Sequence, residues 1–122
     1  MLRATLAWLL GPTPARSARV LQHMHAGGHR PSAASVEWMT LVARHTRSAG
    51  APRPLPTSLV RRRRGVPRAV LCGGEDCFLP VRPLGAAVRA ELRSELQVLA
   101  GAGHLVPAER PHEVVAAVAR LG

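Results

Sequence analysis

Arg68-Ala69-Val70-Leu71-Cys72-Gly73-Gly74-Glu75-Asp76 is the stretch on which the fold turns. Five residues of mainly apolar character, bounded by Pro67 on one side and a glycine pair on the other, form too short a run for a helix and suit a buried strand. Downstream of Pro80 and Pro83, residues 84–93 place Leu84, Ala87, Val88 and Leu92 on one side of a helix. Glu95-Leu96-Gln97-Val98-Leu99 then alternates polar and apolar, which predicts a second strand, and residues 100–104 form the loop beyond it. Pro111 opens the last helix at a position where its missing amide costs nothing, and Glu113 suits the first turn. Val114, Val115, Val118 and Leu121 are expected to form its inner face. A strand–helix–strand–helix order of this kind implies an α/β arrangement in which the two strands lie parallel.

Reactive groups in a parallel sheet gather at the carboxyl ends of the strands, where the loops converge. Asp76 lies four residues beyond Cys72 and His104 five beyond Leu99, so parallel neighbours would bring these two side chains to one rim. A carboxylate in that position fixes the tautomer of the imidazole and stabilises its protonated form, leaving the other ring nitrogen to take a proton from a nucleophile. Each residue also has a plainer reading. Asp76, the only aspartate, fits a turn former, and His104 fits a half-exposed loop histidine. Glu75, next to Asp76, is an alternative acid.

Residues 67–80, with G-x-x-D at Gly73 to Asp76 and a proline at Pro80, resemble the acid loop of the α/β-hydrolase superfamily. Gly101-Ala102-Gly103-His104-Leu105-Val106-Pro107-Ala108-Glu109-Arg110-Pro111-His112-Glu113-Val114 is similar to that family's histidine loop and final helix. The order acid before histidine agrees with the family's order. The resemblance covers residues 66–122 and implies a partial α/β-hydrolase fold, with Asp76 as triad acid and His104 as general base; the G-x-x-D register favours Asp76 over Glu75.

Upstream, residues 2–10 are apolar all round and stop at Gly11-Pro12, residues 15–24 carry Val20, Leu21 and Met24 at helical spacing, and a third helix follows Ser32 or Ser35 as its cap and ends near Arg47. Residues 1–47 resemble, less specifically, the helical cap of the same family, with Trp8, Met24, Trp38 and Met39 as lining for a substrate cavity. Residues 48–65 read as a proline- and arginine-rich connection with a short helix from Thr57 to Arg64, and 66–122 as the C-terminal part of the hydrolase core.

The nucleophile of the family sits in G-x-S-x-G. The serines here are Ser17, Ser32, Ser35, Ser48, Ser58 and Ser94, and none has that setting. The oxyanion loop of the HGGG type is also missing. The expectation is a C-terminal fragment of a hydrolase of esters, amides or similar bonds, inactive alone, with a small-molecule substrate once an N-terminal half completes it.

The net charge of +10 among 122 residues would ordinarily point to a polyanion. All 17 basic residues are arginine, and isoleucine, asparagine and tyrosine are absent, so much of the charge reads as the mark of a GC-rich genome. The run Arg61-Arg62-Arg63-Arg64 supports the alternative of a basic nucleic-acid-binding protein. At 2% aromatic content, few platforms exist on which bases could stack, and a solvated helix face is the preferred reading. Cys72 and Cys77 are too few for a disulfide framework or a four-ligand zinc site, and His23, His25 and His29 around Gly27-Gly28 read as a solvated turn. No cofactor or metal is expected. The apolar opening to Leu10 lacks a small-residue cleavage site and is too short to span a bilayer, so no membrane association is expected and the cytoplasm is the default location.

Overall fold

The computed structural model describes residues 2–46 and 53–122, which form seven α-helices and two strands. Three helices come first: α1 (Leu2–Leu10), α2 (Pro14–Met24) and α3 (Ala33–His45). Thr13 caps α2 by accepting from the Arg16 amide, and Ser32, rather than Ser35, caps α3 by accepting from the Ser35 amide. α3 ends at His45, while Arg47 and the first part of the expected connection, to residue 52, lie outside the described residues. The three helices share a small polar joint. The fully buried Ser17 Oγ accepts from the Trp8 indole at 3.0 Å and lies 2.8 Å from the Thr40 hydroxyl. Arg16 closes the end of α1 by donating to the carbonyls of Ala7 and Gly11.

α4 (Thr57–Arg62) leads to β1 (Val70–Gly73), α5 (Val81–Ala87) and β2 (Leu96–Leu99). β1 and β2 pair in parallel, with Val70 opposite Leu96 and Gly73 opposite Leu99. The two strands expected from the apolar run at 68–72 and the alternation at 95–99 are therefore present as a two-stranded parallel sheet. The crossover helix starts at Val81, three residues earlier than the periodicity suggests, because Pro83 falls in its first turn, where no amide is needed. It continues into a π-helical turn, Val88–Leu92, that stops at Arg93 in the left-handed region, φ 51°.

After β2 a short helix α6 (Val106–Glu109) precedes α7 (Pro111–Ala119). Leu99, Ala102 and Val106 form the core of this half, with Leu71 and Val114 packed against them. The expected inner face of α7 is only partly correct. Val114 and Ala117 turn inward, but Val115 and Val118 are 67% and 62% exposed and Leu121 is also exposed. Valine and alanine occur all round this helix, so apolar periodicity alone does not distinguish the packed side from the open one.

Two of the four consecutive arginines are held within the chain. Arg61 forms a two-pronged pair with Glu91, and Arg64 donates to the carbonyls of Ala90 and Glu91 at the end of the π turn. The arginine run thus ties α4 to the crossover.

Candidate active site

Gly73, the last residue of β1, lies so close to the backbone of Ala102 and Gly103 that a Cβ there would collide with their carbonyls. The acid loop therefore crosses directly over the histidine loop. Backbone hydrogen bonds secure the crossing: Gly74 N donates to Leu99 O at 2.8 Å and Glu75 N to Ala102 O at 2.9 Å.

At this crossing Asp76 and His104 meet. His104 Nδ1 lies 2.9 Å from Asp76 Oδ2 and 3.1 Å from Oδ1, and the carboxylate is nearly buried, its side chain 4% exposed. Asp76 Oδ1 also accepts from the amides of Phe78 at 2.8 Å and Leu79 at 3.0 Å. The turn-forming and histidine-orienting readings of Asp76 are therefore compatible, since one carboxylate does both. Glu75, the alternative acid, points elsewhere and accepts from the Gly27 amide at 3.0 Å.

Burial acts to raise the pKa of Asp76, but the hydrogen bond from His104 and those from the Phe78 and Leu79 amides outweigh it and hold the carboxyl below the ordinary range. The Phe78 ring packs edge-on against the imidazole at a centroid distance of 4.7 Å. With Nδ1 engaged and the ring about one third exposed, Nε2 is the nitrogen left to exchange a proton with a neighbouring group; it has no hydrogen-bond partner among the described residues.

Among the described residues no serine is bonded to His104, and Ser58 lies in α4. Ser17 is sealed between the first three helices, Ser32 and Ser35 bond to each other at the start of α3, and Ser94 precedes β2 at the rim opposite His104. Ser48 lies outside the described residues. Cys72, at the end of β1, has its thiol pKa raised by burial and by the Asp76 carboxylate, so it is held protonated rather than poised as a nucleophile. Cys72 and Cys77 are both free thiols.

A second histidine–carboxylate pair adjoins the first, and it was not legible in the sequence. His25 Nδ1 lies 2.6 Å from Glu109 Oε1, with side chains 7% and 1% exposed. The same carboxylate accepts from Ala26 N at 3.0 Å and from Gly103 N at 2.5 Å. His25 is thus not part of a solvated turn, as its glycine-rich surroundings suggested, but is closed against the histidine loop; His29 stacks on its ring. The signal available for Glu109 was an acid inside an otherwise apolar helical turn. Nothing local marks His25 as its partner, 84 residues away.

Among the described residues no cluster of three metal-ligating side chains occurs, and no helix is long and apolar enough to cross a membrane. Of the four residues expected to line a cavity, Trp38 borders an apolar groove of about 320 Å³ with Leu21, Ala34, Ser35, Leu105 and Ala108. Trp8 bonds to Ser17, Met39 is half-buried, and Met24 offers its carbonyl to the His104 amide at 2.7 Å.

The two buried carboxylates set an expectation for acid stability. Burial also works against ionisation of Glu109, yet its bonds from Gly103, Ala26 and His25 leave its pKa depressed. Groups depressed on folding stabilise fully above their unfolded pKa, about 4, and lose that contribution as pH falls through the folded value. Urea midpoints should therefore hold steady from about pH 7 to pH 5 and fall below about pH 4. A midpoint unchanged down to about pH 3 would contradict the assignment.

A family model described as the alpha/beta hydrolase family matches residues 1–118. No curated protein and no solved structure matches the chain.

Proposed function

The chain belongs to the alpha/beta hydrolase family, and from that premise we propose that it contributes the acid, Asp76, and the general base, His104, of a catalytic triad. The reaction is hydrolysis of an ester, amide or similar bond in a small molecule. One observation carries this reading: a nearly buried carboxylate holds Nδ1 of a partly exposed imidazole at 2.9 Å, at the shared carboxyl rim of two parallel strands.

Within a triad, Asp76 would keep the Nδ1–H tautomer and offset the charge that His104 gains when Nε2 removes a proton from the nucleophile. The protonated ring would then return that proton to the leaving group. Residues 1–47 act as a cap over this rim, with Trp38 in the apolar groove beside the histidine loop, and residues 66–122 belong to the core. The sequence holds no serine in G-x-S-x-G, so we take this chain to be the acid–base portion of the hydrolase, inactive by itself and completed by a nucleophile-bearing portion.

Proton NMR of the folded chain should reveal a strongly downfield ring proton on His104 that disappears in Asp76→Ala. Activated esters should show no turnover that depends on His104, and a fluorophosphonate should label no serine. Absence of the ring-proton signal in a folded wild-type chain would defeat the dyad, and ester turnover lost in His104→Ala would defeat the claim of inactivity.

A further inference from the structure

The buried pair beside the dyad has no part in the proton transfers just described, yet its contacts converge on the residue that does. Glu109 Oε2 accepts from the amide of Gly103, immediately before His104, while Oε1 accepts from His25 and from the amide of Ala26. His104 donates its own amide to the carbonyl of Met24, immediately before His25. A Cβ on Gly103 would lie 2.5 Å from both Met24 O and Ala26 N, so the two backbones are in contact along this seam. Glu75 completes it from the acid loop by accepting from Gly27. Residues 24–27, which leave the second helix, are therefore bonded to both loops of the dyad.

From this geometry we infer that Glu109 is a positioning residue for His104, which it clamps to the turn at residues 24–27 through His25. A carboxylate with 1% of its side chain exposed must find donors for both oxygens, and here three donors from two distant segments converge on it. Charge-assisted bonds of this type are short and directional. They fix the backbone from which the imidazole projects, and Asp76 fixes the ring. The placement of the three N-terminal helices is thereby felt at the base through this side chain, alongside the direct bond from the His104 amide to the Met24 carbonyl. The inference rests on the reading of His104 as that base.

The test follows the His104 ring proton in the full chain by NMR, in wild type, Glu109→Gln, His25→Ala and His25→Asn. The Gln amide would present a donor to an N–H that needs an acceptor, whereas the Asn amide can donate from the place of Nδ1. Exchange of the ring proton with solvent should accelerate roughly tenfold or more in Glu109→Gln and His25→Ala, as expected for loss of a charge-assisted hydrogen bond, and His25→Asn should restore most of the protection. Amide protection of Cys72 and Leu99, which the parallel register places as donors in the strand ladder, should remain unchanged. Ring-proton exchange unaffected in folded variants, or equal loosening of the strand amides, would overturn the inference while leaving the dyad intact. A wild-type chain without the ring-proton signal would instead remove the dyad itself. Should Glu109→Gln not fold, His25→Ala decides, because it leaves two amide donors on the carboxylate; failure of both to fold would make the pair a general prop of the fold and overturn the inference.

Discussion

Gly73→Ala is expected to lower the melting temperature by roughly 10 °C or more, or to abolish the cooperative transition. The new methyl group would meet the carbonyls of Ala102 and Gly103 and the carbonyl carbon of Ala102, which are backbone atoms that cannot swing aside as a flexible side chain does. Relief requires the acid and histidine loops to separate, at the expense of the hydrogen bonds from Gly74 N to Leu99 O and from Glu75 N to Ala102 O. Overpacking in a close-packed interior typically costs about 1–3 kcal/mol, and a rigid wall puts this site at or above the upper end. A small domain has only about 5–15 kcal/mol in total. Thermal unfolding followed by circular dichroism provides the measurement. A melting temperature within a degree or two of wild type would mean that the crossing is looser than described.

The second large effect concerns chemistry. Joined to a nucleophile-bearing portion of an alpha/beta hydrolase, the chain should support ester hydrolysis, and Asp76→Asn should then depress kcat by about 10⁴ while leaving the fold intact. Asparagine separates the two duties of this side chain. Its carbonyl oxygen can still accept from the amides of Phe78 and Leu79, which preserves the turn. Its amide would face His104 Nδ1 as a donor, however, and so force the proton onto Nε2, the nitrogen that must be free to accept one. Asp76→Ala would also leave the two amides without their acceptor and should therefore destabilise by about 1–3 kcal/mol, whereas the Asn variant should stay close to wild type. Equal stability of the two variants would show that the turn does not depend on the carboxylate. Full activity in Asp76→Asn would remove Asp76 from the mechanism.

The arginine run shows how a fold engages part of a charge cluster within the chain. Read as a string, Arg61 to Arg64 is a charge cluster awaiting a polyanion. In the fold, Arg61 pairs with Glu91, whose carboxylate offsets one of the four charges, and Arg64 donates to the carbonyl end of the π turn, while Arg61, Arg62 and Arg63 stay exposed.

The sequence by itself determined those features whose signals are local. A short apolar run between proline and glycine located β1, polar–apolar alternation located β2, and Pro111 with Glu113 located the start of the last helix. The spacing of Asp76 and His104 beyond the strands was enough to predict one shared rim, because parallel pairing leaves few other places for the loops. Tertiary structure alone decided which side of α7 would be covered, that Glu75 would turn to Gly27, and that Glu109 would find His25. The reason is physical: a helix with valine and alanine on every side carries no preferred inner face, and a buried carboxylate takes whichever donors chain closure brings to it. Sequence periodicity records neither, since both depend on contacts between residues far apart in the chain.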